Sequence, residues 1–316
     1  MASQQRPVQP RRPRVIVLGD LMVDVVMAPG RALESGTDVP GRVRLRQGGS
    51  AANTAVWLAR LGVRAELVCA VGRDRAGRAL VDSVRGDGVI VRGPRVAGSP
   101  SGRIGVVVAP GGERSFVADR GAADDLDAAD LRPAWFERID LLHLPAYSLL
   151  GLSLGAAGRR AVSLARAAGG MVTVDLSSSG PLLADGRRAA RDLIRSVAPD
   201  LIFATVAEVT AFIGSASPEV LLDIAPAAVI KRGAQGATIV ATDGDHRLRF
   251  EVATRPIAAT DTTGAGDAFD AGFIVGWLAA LAAGRPTAGA LQQAALAGHR
   301  VAARHLVRDV GDLPLL

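Results

Sequence analysis

Residues 261–272 read DTTGAGDAFDAG and lead into an apolar, alanine-rich stretch of the chain. Gly264 and Gly266 lie at the start of a helix predicted over Ala265–Ala283, where small residues allow a ligand to approach the backbone closely. The first amide N–H groups of a helix have no helical acceptors and lie at the positive end of its dipole. This pattern is typical of a site for phosphate, or for charge that develops during phosphoryl transfer.

Asp267 lies in the first turn of the same predicted helix. The helix dipole favours a carboxylate there, and the adjacent anion site would let it accept a proton from a hydroxyl group that attacks phosphate. A carboxylate at this position also suits a simple helix cap, with the glycines forming a tight turn. The residues alone leave both interpretations open.

A second glycine-containing stretch, residues 47–55, reads QGGSAANTA and opens a helix predicted over Ala51–Leu61. Gly49 belongs to its flexible entry, Ser50 is a candidate N-cap, and Asn53 projects an amide one turn later. That amide can donate to and accept from a hydroxylated ligand. Capping alone would account for the same residues, so ligand binding and capping both remain possible here.

Strand-like and helix-like segments alternate along the chain, which predicts an α/β fold with a largely parallel sheet. The predicted strands, short apolar runs typical of strands buried on both faces, are Arg14–Gly19, Ala65–Val71, Leu141–Leu144, Met171–Leu176, Leu201–Ala204 and Val229–Lys231. The predicted helices are Ala51–Leu61, Arg75–Arg85, Leu154–Ala168, Gly186–Val197, Glu208–Ile213, Ala265–Ala283 and Ala288–His305.

Two segments interrupt this alternation. Val25–Arg46 reads as an irregular stretch, and the extended runs Arg103–Ala109 and Ser115–Ala118 flank the turn sequence PGGE at 110–113, which indicates a hairpin. Strands inserted early in an α/β chain do not easily join the parallel core. We therefore expect a separate small sheet that covers a ligand crevice at the carboxyl ends of the core strands.

The composition is that of an ordinary globular chain, with 316 residues, 49% hydrophobic and 22% charged. It excludes a disordered protein, and 37 glycines without a period exclude a collagen-like one. The net charge is +6, but basic and acidic residues are interspersed almost throughout, so we expect no nucleic-acid partner. Residues 1–13 are predicted to be a disordered tail, and residues 14–316 one domain.

Three sequence features exclude a P-loop nucleotide site, an intrachain disulfide and a membrane span. The one lysine, Lys231, is followed by Arg232, whereas a P-loop requires Lys followed by Ser or Thr. Cys69 is the one cysteine, so no intrachain disulfide forms and a cytoplasmic location is expected. The longest apolar segment, Ala271–Gly284, is too short to span a bilayer, so no membrane partner is expected.

Three features occur in a characteristic order: a first strand leading to Asp24, then GGSAAN at 48–53, then DTTGAGD at 261–267. This order resembles that of the ribokinase-like carbohydrate kinases (PfkB family), from about Val15 to about Gly298. The resemblance implies an α/β ribokinase-like fold with a mostly parallel central sheet flanked by helices. It also implies a small β lid over the substrate, formed by segments at about 25–46 and 103–118.

The resemblance implies roles for residues on the substrate side. Asp267 matches the general base, and the amides of Gly264, Ala265 and Gly266 match the anion hole for the transferring phosphoryl group. Further residues match contacts to the sugar, namely Asp24, Gly49, Asn53 and Ser101.

The resemblance is less complete on the nucleotide side. KRGAQG at 231–236 resembles a loop beside ATP, which assigns the nucleotide site to Lys231, Gly233 and Gly236 together with Thr263, although a hairpin turn explains the same glycines. Glu208 matches a glutamate that acts on Mg²⁺ through water, but Thr205 replaces the usual asparagine, and a glutamate at a helix start is also a common dipole partner.

A monovalent-cation requirement is left open by the same comparison. Asp261 and Thr263 match one half of a cation loop, and the other half is not recognisable around Arg308–Gly311.

Two further residues have alternative interpretations: His143 could face the sugar or pack in the core, and Arg120 could meet an anionic substrate group or stay in solvent.

The resemblance thus implies ATP-dependent phosphorylation of a hydroxyl group on a small sugar or sugar acid, with ATP and Mg²⁺ as cofactors. A nucleoside kinase of the same fold and a non-catalytic sugar or nucleotide sensor are the alternatives. A homodimer is compatible with the resemblance, because lid strands can pair between subunits in this family.

Overall fold

The computed structural model describes residues 11–109, 111, 113–214, 217–259, 261–308 and 311–313. Its strands are β1 (Arg14–Leu18), β2 (Met22–Pro29), β3 (Gly41–Gly48), β4 (Arg64–Val68), β5 (Val71–Gly72), β6 (Ile90–Arg92), β7 (Arg95–Val96), β8 (Arg103–Val108), β9 (Arg114–Asp119), β10 (Leu141–Pro145), β11 (Met171–Asp175), β12 (Leu201–Thr205), β13 (Ala227–Lys231), β14 (Ala237–Asp243) and β15 (His246–Val252). Its α-helices are α1 (Ser50–Arg60), α2 (Arg75–Gly86), α3 (Ser153–Ala167), α4 (Ser179–Leu182), α5 (Gly186–Ser196), α6 (Val206–Ile213), α7 (Ala265–Ala282) and α8 (Thr287–Leu306).

The central sheet has the strand order β15-β14-β13-β12-β11-β10-β1-β4-β6. Its strands pair in parallel from β13 to β6, and only the β13-β14-β15 edge is antiparallel. All of β1 is buried, with Val15 and Val17 in one apolar cluster and Ile16 and Leu18 in the other. Because successive strand residues point to opposite faces, the sheet separates two hydrophobic layers. The predicted α/β fold, with a mostly parallel sheet between helices, is confirmed.

A separate four-stranded sheet, here called the β lid, has the order β3-β2-β8-β9. The predicted hairpin is confirmed, since β8 and β9 pair antiparallel from Arg103↔Asp119 to Val108↔Arg114; residues 110 and 112 of its turn lie outside the described part. The expectation that Val25–Arg46 is irregular is wrong at both ends of the segment, because β2 (Met22–Pro29) pairs antiparallel with β3 (Gly41–Gly48). The alternation of arginine with Val43 and Leu45 in β3 is the period-2 pattern of a strand, so the signal was present in the sequence.

The β lid lies over the carboxyl-terminal edge of the central sheet, where parallel α/β folds form their ligand crevices. Strands β11, β12 and β13 end at this edge with Asp175, Thr205 and Lys231. Helix α7 begins nearby, since Lys231 Nζ contacts Asp270 of that helix. The edge therefore gathers polar groups that are far apart in the sequence.

Helix α7 is the central element of one hydrophobic layer. Its 18 residues have a mean hydropathy of 1.3, so by length and composition it could cross a membrane, in contrast to the shorter apolar segment Ala271–Gly284. It packs instead closely on α8: a Cβ atom on Gly272 would lie 2.7 Å from Val301 Cγ2 and 2.8 Å from the Ala297 carbonyl oxygen. More than half of the apolar window is buried, as in a core helix.

The predicted tail at 1–13 lies outside the described residues except for its last three. Of these, Arg11 pairs with Asp140 at 2.5 Å, and the Pro13 carbonyl accepts a hydrogen bond from the Arg64 amide at 2.9 Å. The bounds of the helices agree with expectation to within one or two residues. Strands β6 and β15 were not expected: β6 has only three residues, and β15 alternates polar with apolar residues instead of forming an apolar run.

Strand β4 of the central sheet contains a buried acidic residue, Glu66. Its carboxylate accepts hydrogen bonds from Arg14 at 2.7 Å and from Arg64 and Arg92 at 3.1 Å each. Burial raises the pKa of Glu66, but the hydrogen bond and charge of Arg14, followed by those of Arg92, outweigh it and lower the pKa. The ion pair with Arg14 is itself almost fully buried.

We expect Arg14→Met to lower the free energy of unfolding by about 3 kcal/mol or more, because it leaves a buried carboxylate short of its main partner. Urea denaturation followed by circular dichroism measures this change. Arg11→Met is the matched control, since it removes an exposed pair worth no more than about 1 kcal/mol. Equal losses in the two variants would contradict the stabilising role of Arg14.

Candidate active site

A cavity of about 1000 Å³ lies between the β lid and the carboxyl-terminal edge of the central sheet. Many of the residues predicted from the sequence to form a site line it, namely Asp24, Gly49, Asn53, Glu208, Lys231, Thr263, Gly264, Gly266 and Asp267. Predicted residues that do not line it are Ala265, Ser101, Gly233 and Gly236. The cavity thus joins segments from both ends of the chain.

Asp267 is half-buried in this cavity and is held by side chains of another helix. Its Oδ1 accepts a hydrogen bond from Ser50 Oγ at 2.5 Å, and its Oδ2 accepts one from Asn53 Nδ2 at 2.9 Å. The helix start at Gly264 has no side-chain cap, so the capping interpretation of Asp267 is not the one that the structure supports. Ser50 is likewise not the N-cap of α1, a position that Gly49 occupies.

The environment of Asp267 raises its pKa from 3.8 to about 6. Burial is the main cause and the charge of Asp175 adds to it, whereas the hydrogen bonds from Ser50 and Asn53 and the charge of Lys231 oppose it. A carboxylate with a pKa near neutrality is a stronger base than an exposed one, yet remains ionised at pH 7.

The turn before α7 borders the cavity. Gly264 has a φ of 79°, in the left-handed region that favours glycine, and both Gly264 and Gly266 line the cavity. The Ala265 amide, by contrast, donates to the Thr262 carbonyl at 3.2 Å, and Ala265 does not line the cavity. Of the three residues predicted to form an anion hole, Gly264 and Gly266 are therefore the two at the cavity wall.

Asp24 is a buried carboxylate with an unsatisfied oxygen. Its side chain lines the cavity, the residue is 8% exposed, and Oδ1 has no hydrogen-bond partner among the described residues. Burial, followed by the charges of Asp20 and Asp267, raises its pKa to about 7. A buried polar atom without a partner is costly, so this oxygen is a candidate acceptor for a hydrogen bond from a ligand.

Arg120 also lines the cavity, and its guanidinium contacts other side chains instead of lying free in solvent. Its guanidinium lies 4.6 Å from the centroid of the Tyr147 ring, and its Nε donates to Asp124 at 2.6 Å. Nη1 lies 3.6 Å from Asp20 Oδ2, while Nη2 is buried without a partner in the described part of the chain. Asp20 also accepts from the Tyr147 hydroxyl at 2.9 Å.

Lys231 lies in an acidic cluster that the sequence analysis did not identify. Its Nζ is 3.1 Å from Asp175 Oδ2 and 3.0 Å from Asp270 Oδ2. Burial lowers the pKa of Lys231, but the two carboxylates outweigh it and raise the pKa well above the usual value. Asp270 is one turn beyond Asp267 within DTTGAGDAFDAG, which was the available signal. Nζ is also 3.5 Å from the place of a Cβ on Gly266, so its charge lies beside the amide turn.

Glu208 and Thr205 form a reciprocal cap at the start of α6. The Thr205 hydroxyl accepts from the Glu208 amide at 3.2 Å, and Glu208 Oε2 accepts from the Thr205 amide at 2.7 Å. Burial, followed by the charge of Asp175, raises the pKa of Glu208 to about 7. Both interpretations of Glu208 thus have support, because it caps the helix and also lines the cavity. No group of three or more potential metal ligands occurs within the described ranges.

Ser101 has a structural environment rather than the predicted substrate contact. It is buried, its Oγ donates to Asp74 Oδ1 at 2.7 Å, and the same Oγ accepts from the Gly72 amide at 3.0 Å. The predicted nucleotide contacts Gly233 and Gly236 form the turn between β13 and β14. Gly236 has a φ of +94°, and a Cβ there would meet the Val252 carbonyl oxygen at 2.1 Å, so backbone geometry explains this glycine.

His143 is a packed core histidine. Its Nδ1 lies 2.9 Å from Thr173 Oγ1, and its ring packs edge-on against Phe203. Burial lowers its pKa to about 4, so it stays neutral. The alternative that it faces a substrate has no support, because His143 does not line the cavity.

Asp261 connects the β lid to the turn before α7. Its Oδ2 accepts from Arg46 Nη1 of β3 at 2.7 Å, and its Oδ1 accepts from Arg114 Nη2 of β9 at 3.1 Å. Asp261 Oδ1 also accepts from the Thr263 amide at 2.9 Å. Asp261, which resembles part of a monovalent-cation loop in the sequence, thus forms ion pairs with two arginines.

Comparison of the sequence and fold with known proteins assigns the chain to a family. The family model described as pfkB family carbohydrate kinase matches residues 12–310. The chain is 31% identical to a fructokinase from Klebsiella pneumoniae over 83% of this chain and 84% of the relative.

Two solved structures share the fold. An adenosine kinase from Sinorhizobium meliloti superposes with a TM-score of 0.79 at 24% identity, over 94% of this chain and 95% of the other. An aminoimidazole riboside kinase from Salmonella enterica, complexed with aminoimidazole riboside and an ATP analogue, has a TM-score of 0.74 at 23% identity, over 94% of both chains. With a family model that covers nearly the whole sequence, the chain belongs to the PfkB family of carbohydrate kinases.

Proposed function

We propose that this protein transfers the γ-phosphoryl group of ATP to a hydroxyl group of a small neutral sugar, with Asp267 as the general base. The observation that carries the proposal is the position of the Asp267 carboxylate, which lies in the cavity beside the first-turn amides of α7. A base within reach of the acceptor hydroxyl and donors aimed at the phosphoryl oxygens are the two requirements of this reaction.

Asp267 is oriented for this role by α1. Ser50 and Asn53 each donate to one carboxylate oxygen, which limits rotation of the group and leaves further lone pairs for the acceptor hydroxyl. The Gly264 and Gly266 amides would bind the phosphoryl oxygens as negative charge develops. The Ala265 amide would join them only by sharing its hydrogen bond with the Thr262 carbonyl.

The charges at the acceptor end of the cavity favour a neutral polyol. Four carboxylates line this end, those of Asp20, Asp24, Asp124 and Asp267, and the Arg120 guanidinium already pairs with two of them. The other arginine of the cavity, Arg114, pairs with Asp261. Burial, followed by the charges of Asp20 and Asp267, raises the pKa of Asp24, and the same charges would repel a further anion. Hydroxyl groups can instead donate to the unpartnered Asp24 Oδ1.

On the nucleotide side, Lys231 would place a positive charge beside the phosphoryl group, since Nζ lies next to Gly266. Mg²⁺ bound to the nucleotide would neutralise charge on the phosphates. Glu208 fits an outer contact to that ion through water, because the burial that raises its pKa to about 7 makes its charged form accept a nearby cation readily.

The β lid would exclude water from the transfer. Its inner face contributes Ile104, Val106, Phe116 and Ala118 to the cavity wall. A closed apolar cover prevents water from replacing the sugar hydroxyl as acceptor.

A nucleoside kinase is the second candidate, and the same apolar wall favours it. Phe116 is 60% exposed and Leu152 is 93% exposed, and both line the cavity, where a base could cover them. The two solved structures described above are an adenosine kinase and an aminoimidazole riboside kinase, which makes a nucleoside acceptor worth testing.

Assembly and location are further parts of the proposal. Val43 and Val117 are 68% and 72% exposed and lie on the outer face of the β lid, where a second copy would cover them in a homodimer. A cytoplasmic location fits Cys69, which as the single cysteine of the sequence has no intrachain disulfide partner.

We expect ADP release with fructose or ribose at a kcat/KM about tenfold or more above that with 2-keto-3-deoxygluconate, because an acidic pocket disfavours an anion. A coupled ADP assay with these sugars, adenosine and pseudouridine measures this preference. Faster turnover of the acid would assign the free Nη2 of Arg120 to a carboxylate. Preference for adenosine would support the second candidate. Thermal stabilisation by ligands without ADP formation would indicate a sensor.

We expect Asp267→Asn to lower kcat by about 10²- to 10⁴-fold while sugar and ATP still bind, because the amide cannot accept the proton. Initial rates and isothermal titration of each ligand separate the two effects. Asp124→Asn is the matched control, an acidic cavity residue that bonds Arg120, and should change kcat only a few-fold. Near-normal turnover of Asp267→Asn would remove the base from this mechanism.

We expect kcat/KM to be lost as the pH falls through about 6, because the raised pKa of Asp267 leaves the base protonated below that value. The hydrogen bond from Ser50 lowers this pKa, so Ser50→Ala should move the acidic limb to higher pH. Rate profiles from pH 5 to pH 8 for both proteins test the shift. A limb that stays in place, or moves to lower pH, would contradict the assignment.

A further inference from the structure

His305 of α8 bridges a tryptophan side chain and the turn before α7. The Trp57 indole Nε1–H lies 3.2 Å from His305 Nδ1, and the two rings meet edge-on. On its other side, His305 Nε2 lies 2.6 Å from the Thr263 carbonyl oxygen. The imidazole therefore fills the gap between α1 and the amide turn.

The two partners determine which imidazole nitrogen carries the proton. An indole nitrogen can only donate, so His305 Nδ1 must accept from Trp57. The proton of the neutral ring then lies on Nε2, which donates it to the Thr263 carbonyl. Trp57 thus selects the one neutral tautomer that can bind the turn.

The Thr263 carbonyl shares a peptide plane with the Gly264 amide. In a trans peptide the C=O and the following N–H point in opposite directions, so holding the carbonyl toward α8 directs the Gly264 N–H away from α8. The hydrogen bond also polarises the peptide, which makes that N–H a better donor. Gly264 lines the large cavity, where the amide would meet the phosphoryl group.

Packing restrains the same plane. A Cβ on Gly264 would lie 3.1 Å from His305 Cε1 and 3.3 Å from its Nε2, so the imidazole lies directly against this residue. Trp57 belongs to α1, the helix whose Ser50 and Asn53 hold Asp267. His305 thus contacts both α1, the helix that holds Asp267, and the turn that contains the Gly264 amide.

We propose that His305 is a positioning residue that aims the Gly264 amide at the transferring phosphoryl group, with Trp57 setting its tautomer. The proposal rests on the proposed kinase function, and nothing in it requires His305 to touch substrate.

The test compares His305→Leu with His305→Gln. Leucine cannot donate, whereas glutamine can place an amide N–H near the position of Nε2. We expect His305→Leu to lose on the order of 10- to 100-fold in kcat with KM values within about twofold, and His305→Gln to recover most of that loss. His299→Leu is the matched control, since His299 on the same helix bonds the Val252 carbonyl at 3.1 Å outside the cavity lining, and should leave kcat unchanged.

Two measurements do not depend on turnover. ¹⁵N NMR of the wild-type imidazole should show the Nε2-protonated tautomer, and Trp57→Phe should reduce its population. Calorimetry should show that His305→Leu weakens binding of ADP with beryllium fluoride more than binding of ADP alone.

An Nδ1-protonated wild-type ring, equal loss in the leucine and glutamine variants, or unchanged kcat in His305→Leu would overturn the proposal. If wild-type protein forms no ADP with any acceptor, the kinase function fails instead, while the tautomer and fluoride measurements still decide the role of His305.

Discussion

The hydrogen bonds between α1 and the Asp267 carboxylate are the interaction on which the rest of the site depends. Ser50 and Asn53 belong to the first half of the chain and Asp267 to the last quarter, so these two bonds join its distant parts. A half-buried carboxylate without such donors would be costly to desolvate and free to rotate. On the proposed function, one charged group thus serves both as a contact between distant parts of the chain and as the base.

A second charged cluster, formed by Lys231, Asp175 and Asp270, lies beside Gly266 at the start of α7. Lys231 is the one ammonium side chain of the sequence, and Asp175 and Asp270 hold it where its charge remains. A buried lysine without carboxylates would lose its proton more easily. The helix dipole, the amides and Lys231 therefore act on the same small volume, which suits a group that carries several negative charges.

Much of the fold could be predicted from the sequence, because short apolar runs and glycine-rich helix starts are local signals. The motifs predicted residues that the structure places in one cavity, as for Asp267, Asn53 and Asp24, while their roles there stay predictions. The site was not predictable where it depends on long-range pairing, as for Asp175 with Lys231. Ser101 matched a motif position, yet its contact with Asp74 could be found only from coordinates. Strand β3 carried a local signal, the alternation of arginine with Val43 and Leu45, whereas the pairing of Arg46 with Asp261, 215 residues away, could be found only from coordinates.

The two guanidinium groups on Asp261 have a mechanical consequence. Any motion that raises β3 and β9 from the cavity must either break these ion pairs or pull the adjoining turn out of place. If the pairs break, the turn can stay in place, where Asp261 keeps its hydrogen bond from the Thr263 amide. If the pairs hold, the turn moves with the strands, and on the proposed function water entering the open cavity would meet an incomplete set of phosphoryl donors.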